Sequence, residues 1–313
     1  MNSFKAILFF SLLSFSSATF VSIVFADEGG KIKMGTDLSL TVSSRPEAKA
    51  ALSQSFVIPF LQGQSPLSAD NNITAVLRTE FSPISINGIA EIVWTPIAFF
   101  QLVTGGRIGS GWNIKLFGED VYGIGIVRKD GGSVVVDGDG FDGILWSAKA
   151  GAAVQFDFAA VFPGDWNHVV FRTYHEVNYA GYSDAKNDEP WYFENDDGEN
   201  MNGWNYYGNY LIGYQMPIFL NMTGFLVETS NYLYTTANRK TWGDEVFRWT
   251  FSILFNFTVT ERISIATLAQ LWTRRTFTTE TKNNAFYQDR VIAPDPIHLE
   301  FYRVVVIATF KLR

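Results

Sequence analysis

Residues 247 to 259 restrict the architecture of this chain more than any other segment. Phe247, Trp249, Phe251, Ile253, Phe255, Phe257 and Val259 share one face of an extended strand. Arg248, Thr250, Ser252, Asn256 and Thr258 share the other, where Leu254 is the single apolar residue. A strand alternates its side chains between two faces, so one face can meet an apolar medium and the other water. Strands of soluble sheets run about 5 or 6 residues. This one runs about 13, enough to cross a hydrocarbon layer at a tilt.

The pattern recurs. In 144–158, Ile144, Trp146, Ala148, Ala150, Ala152, Val154, Phe156 and Phe158 alternate with Ser147, Lys149, Gly151, Gln155 and Asp157. Similar alternation marks 73–81, 263–271 and 302–312, and weaker copies lie at 31–43, 50–61, 84–95, 97–108, 166–180, 204–216 and 219–234. That makes twelve candidate strands. Tight connections are expected at Thr95-Pro96, Pro163-Gly164-Asp165, Pro217 and Thr260-Glu261, and long ones at 109–140, 181–203, 235–246 and 278–297. Short and long connections alternate from the fifth strand on. The segment 44–72 fits that alternation less well and leaves ten or fourteen strands as alternatives. Open sheet edges are not tolerated in hydrocarbon, because each unpaired backbone group costs several kcal/mol. The expected fold is therefore all-β, a closed antiparallel transmembrane β-barrel. A soluble β domain would instead leave the stripe from Phe247 to Val259 exposed to water.

In this pattern, and not in any motif, the chain resembles the bacterial outer-membrane β-barrel class over most of residues 31–313. The resemblance implies an outer-membrane location, contact with outer-membrane lipid and lipopolysaccharide, and insertion by the barrel assembly machinery. Such barrels usually end in an aromatic residue. Here Phe310-Lys311-Leu312-Arg313 keeps the apolar register and ends on a charge.

The N-terminus fits this destination. Lys5 precedes an almost uncharged apolar run from Ala6 to Phe25, and Val24-Phe25-Ala26 precedes the polar Asp27-Glu28-Gly29-Gly30. That is the layout of an export signal cleaved after residue 26. It leaves a single barrel domain over 27–313. The chain has no cysteine, so no disulfide staples hold it. Aromatic residues reach 16% against 18% charged. The net charge of −7 becomes −8 without Lys5, a balance that argues against nucleic acid as a partner.

Function is less legible. The register turns Lys33, Asp37, Arg78, Glu80, Glu91, Arg107, Lys149, Asp157, Arg172, Glu176, Glu228, Arg248, Arg262, Arg274, Arg303 and Lys311 inward, ten basic and six acidic. Either these groups pair and fill the lumen, or the basic surplus lines a narrow pore for small anionic solutes. A mid-height ring of Lys149, Arg78 and Arg172, balanced by Glu80 and Glu176, is the expected constriction. In a second reading the barrel is a closed platform that binds a partner through 109–140 and 181–203. A third is a lipid-modifying enzyme. His168, His175 and His298 are followed two residues on by Val170, Val177 and Glu300, so none meets a nucleophile at that spacing, and no catalytic residue is assigned. His175 is expected to face lipid, opposite to Glu176. No cofactor is expected beyond Ca²⁺, for which Asp137, Asp139 and Asp142 are candidate ligands without the terminal glutamate of a full calcium loop.

Overall fold

The computed structural model describes residues 12–14, 17–19, 32–45, 47–116, 118–130, 133–186, 188–194, 199–233, 242–278 and 291–313. Residues 1–26, the expected export signal, fall largely outside them. Twelve strands close into an antiparallel barrel. They are β1 (Lys33–Ser43), β2 (Glu47–Pro59), β3 (Asn72–Ser82), β4 (Ser85–Ile97), β5 (Phe100–Gly111) and β6 (Leu145–Asp157). Then come β7 (Val169–Tyr182), β8 (Gly203–Gln215), β9 (Leu220–Tyr232), β10 (Arg248–Thr260), β11 (Ile263–Phe277) and β12 (Ile292–Lys311). Each strand pairs with its sequence neighbours, and β12 closes on β1 from Val305–Ser43 to Lys311–Asp37.

Connections 112–144, 183–202, 233–247 and 278–291 leave one end of the barrel, together with the tight turns 44–46 and 83–84. The other end carries 60–71, 98–99, 158–168, 216–219 and 261–262. In an outer membrane the long-loop end faces outward. Twelve is thus the strand count, and the irregular stretch 44–72 resolves into a tight outer turn and a longer inner one. The Thr95-Pro96 turn is displaced: β4 continues to Ile97 and the chain reverses at Ala98–Phe99.

The two faces of β10 divide as the alternation requires. Ile253 is 50% exposed and Phe255 38%, on the lipid side, while Leu254 between them is 5% exposed. Leu254 is not an isolated exception to a wet inner face. It packs inside the barrel with Val170, Leu211, Leu226, Ala266, Leu268, Val305 and Ile307, which come from β7 to β12. A water-wide lumen would leave these inner side chains accessible. Their burial means that this side of the barrel is filled toward the short-turn end.

Ile253→Arg is expected to lower folding stability by about 2–4 kcal/mol in a bilayer, because it places a charge at mid-height on the lipid face. Leu254→Ala is expected to cost about 2–5 kcal/mol through the cavity it opens. Urea titration of protein refolded in vesicles measures both, and an arginine tolerated at 253 would contradict the assignment of faces.

Candidate functional site

The inward charges of the wall are mostly paired. Arg78 bonds Glu80 at 3.3 Å and donates through Nε to Ser53 Oγ at 3.1 Å. Lys149 joins Glu91 to Glu176, the latter at 3.5 Å, so one ammonium ties β4, β6 and β7 together. Tyr207 donates to Glu228 at 2.6 Å. Arg303 bonds Glu47 and donates to Gln270 Oε1 at 3.0 Å. Among the buried ones, Arg172 differs. Its guanidinium lies over Tyr174, 5.5 Å from the ring centre, and its Nε has no hydrogen-bond partner.

The outer mouth is built by loops. Ile124–Asp130 pairs with Ser133–Asp137 on one edge and with Trp191–Phe193 on the other. Ile124, Ile126, Leu145, Tyr182, Ala185, Trp191 and Phe193 form a small apolar core beneath this sheet. Residues 188–194 are thereby held in the mouth, and the amide of Glu194 donates to Gly123 O at 2.9 Å. Glu194 takes a left-handed backbone, φ 55°, uncommon for a side chain of its kind. Its carboxylate meets the barrel wall. Lys49 Nζ lies 2.6 Å from Oε2. Arg107 Nη2 at 3.3 Å, Ser85 Oγ at 2.8 Å and Asn87 Nδ2 at 3.0 Å converge on Oε1. A Cβ on Gly109 would sit 2.1 Å from Asn87 Oδ1, so this glycine leaves the room Asn87 needs. A second latch joins Glu199 to Arg248 and Arg275, with Arg275 also 3.2 Å from Asp244.

Between loops and wall lies a cavity of about 480 Å³. Its charged lining comprises Arg45, Lys49, Arg107, Lys149, Arg248 and Arg303 against Glu47, Glu176, Glu194, Glu199 and Glu228. Two of those five acids, Glu194 and Glu199, belong to the loop. Without them the walls carry six basic groups and three acidic ones.

Several positions depart from the sequence register. Arg274 is exposed and Arg275 is the buried arginine, because burial along β11 changes phase between Gln270 and Thr273, beside a bulge in the pairing with β12. Lys49 and Glu47 escape the sequence register because β2 begins three residues earlier than the alternation suggests. Glu194 and Glu199 sit among the acids of 183–200, where no periodicity reveals which carboxylate turns inward. Asp139 and Asp142 are exposed, and the side chain of Asp137 lies outside the described residues. No cluster of three metal-ligating groups occurs among the described residues.

His175 does face outward, and it has polar neighbours that the sequence reading did not assign. The hydroxyl of Thr173, two residues before it, is 2.9 Å from Nε2, and Tyr206 OH from β8 is 2.7 Å from Nδ1. These side chains satisfy one another on the lipid side, as polar groups there must.

Burial opposes ionisation of Glu194, yet Lys49 and Arg107, with hydrogen bonds from Lys49 and Ser85, hold its carboxyl at about 2 against an ordinary 4.5. The other acids facing Lys49 are Glu47 and Glu80. The folded value lies below the unfolded one. The stabilisation is therefore complete above about pH 4.5 and fades as the pH falls toward 2. Hydrogen exchange of the segment 183–194, corrected for intrinsic rates, is expected to stay slow from pH 7 to 5 and to rise below pH 4. Release at neutral pH would contradict the latch.

No protein-family model and no curated protein matches this chain. Among solved structures, the KdgM porin is 9% identical, with 89% of this chain and 99% of that one covered at a TM-score of 0.34. CdiB from Acinetobacter baumannii is 10% identical, with 90% and 60% covered at 0.36. OmpT, an outer membrane protein of Vibrio cholerae, is 4% identical, with 91% and 98% covered at 0.33. Superpositions this loose carry no argument about activity. On its own closed ring of twelve strands, apolar outside and charged within, the chain is a β-barrel of the outer-membrane class.

Proposed function

We propose that this protein is a narrow channel for small, anionic solutes, constricted by its outer loops and by the packing of its own lumen. In this reading residues 1–26 direct export and are removed. Outer-membrane lipid and lipopolysaccharide surround the apolar band, and the barrel assembly machinery inserts it.

One observation carries the channel reading. Within the filled lumen, Glu80 Oε2, Gln155 Oε1, Arg172 Nε and Glu228 Oε2 are buried without a protein partner. Gln155 and Arg172 are cross-strand partners on β6 and β7. A buried polar atom left unmade costs about 1–3 kcal/mol unless water or a solute reaches it. These atoms lie on β3, β6, β7 and β9, and in this reading water and passing solutes reach them as the narrow lumen fluctuates. Preference for anions rests on Arg172, for which no ion pair is found among the described residues, and on the basic cavity walls once the loop acids move away.

Planar-bilayer recordings of the refolded protein test the proposal. Small conductance steps with anion preference are expected, and Lys149→Glu with Arg172→Glu should reverse that preference several-fold. Absence of conducting steps, or unchanged selectivity in the double variant, would overturn it. The shared sheet and apolar core of 112–144 and 183–202 favour a second reading, a closed barrel whose loops bind a partner. That reading expects no conductance and loss of binding when the loops are shortened.

A further inference from the structure

The contact between Glu194 and the wall has the composition of a receptor site. Its four donors come from β2, β4 and β5, none of them from the loop that carries the carboxylate. They are placed by the wall itself. Arg107 Nε donates to Asn87 Oδ1 at 2.9 Å, Ser85 Oγ bonds Ser82 Oγ at 2.7 Å, and Lys49 has Glu47 at 3.6 Å. The face of Arg107 is covered by the Phe193 ring, 4.7 Å from its centre. An ammonium, a guanidinium, a hydroxyl and an amide thus converge on two oxygens, the donor set that charge-assisted recognition of a carboxylate uses.

Lys49 and Arg107 also line the cavity of about 480 Å³, a volume in the range of small-molecule sites. The occupant belongs to a loop joined to its neighbour by a three-residue strand, Trp191–Phe193, and it adopts a left-handed backbone to reach the donors. A free carboxylate has no such conformation to adopt.

We propose that Lys49, Ser85, Asn87 and Arg107 form a carboxylate-binding site in the mouth of the barrel, that Glu194 fills it at rest, and that a small carboxylate solute replaces Glu194 and releases residues 188–194. The solute class rests on the channel reading, but the site itself is tested by binding and not by conductance.

Propionate, the fragment that corresponds to a glutamate side chain, is the probe, with propionamide as its neutral counterpart. In the wild-type protein in detergent, propionate is expected to increase cleavage by chymotrypsin at Trp191, Tyr192 and Phe193, and propionamide is not. Folded Glu194→Ala protein, identified by its heat-dependent gel mobility, is expected to bind one propionate by calorimetry. Arg107→Gln in that background should weaken binding roughly tenfold or more, since hydrogen bonds to charged groups contribute about 1.5–3 kcal/mol. If Glu194→Ala does not fold, Glu194→Gln takes its place in the cleavage assay, where the loop should be cut faster than in wild type without any ligand. Equal effects of propionate and propionamide, no binding to folded Glu194→Ala, or a Glu194→Gln loop as resistant as wild type would each overturn the assignment. A protein that binds propionate but conducts no ions would retain the site and lose the channel.

Discussion

Backbone hydrogen bonding in a medium that offers no partners is the constraint on which the barrel depends. Every strand must find two neighbours, and the first must find the last. The pairing from Val305–Ser43 to Lys311–Asp37 meets that requirement, turning a meander with two open edges into a ring with none. Alternation then does the rest. With the backbone satisfied, each strand need only send apolar side chains to one side, and Ile253, Leu254 and Phe255 show how sharply neighbouring positions are separated.

The interior solves a different problem. A ring of this size encloses more space than side chains of an eight-strand barrel would fill. Here the space is divided. From β7 to β12 the inner wall is apolar toward the short-turn end and packs like a core. Elsewhere it is charged, and the charges meet opposite partners such as Glu91, Lys149 and Glu176. Paired charges tolerate a low dielectric that single ones do not. At the mouth the wall has more cations than anions, and the loop supplies the balance through Glu194 and Glu199.

Strand order and most of the facing are legible from the alternation, because a period of two leaves little freedom where one side meets lipid, while 44–72 leaves the strand number open between ten and fourteen. The inner apolar packing was less so. Leu254 looks like a lone exception within its own strand, and its companions Leu226, Leu268 and Val305 become a cluster only after closure brings their strands side by side. The exchange of Arg274 for Arg275 follows from a bulge, which shifts the phase without a mark in composition. Glu194 was unreadable for a plainer reason. Loop residues have no period, and which of several carboxylates turns inward is decided by the sheet that Trp191–Phe193 joins. Thr173 was within reach of sequence reasoning, since it stands two residues before His175, on the same face, as Val177 stands two residues after.

The junction of β12 with β1 is the shortest ladder in the ring. It uses less than half of the twenty-residue β12, while the pairing of β11 with β12 extends from Phe310 up to Ile292. The cylinder therefore has a seam, and it lies where the first and last strands meet. The ladder there is shorter than those beside it, although bonds between Ser44 and Val304 and between Thr36 and Leu312–Arg313 extend it at both ends. Separation of neighbouring staves is opposed by the shortest ladder at this joint.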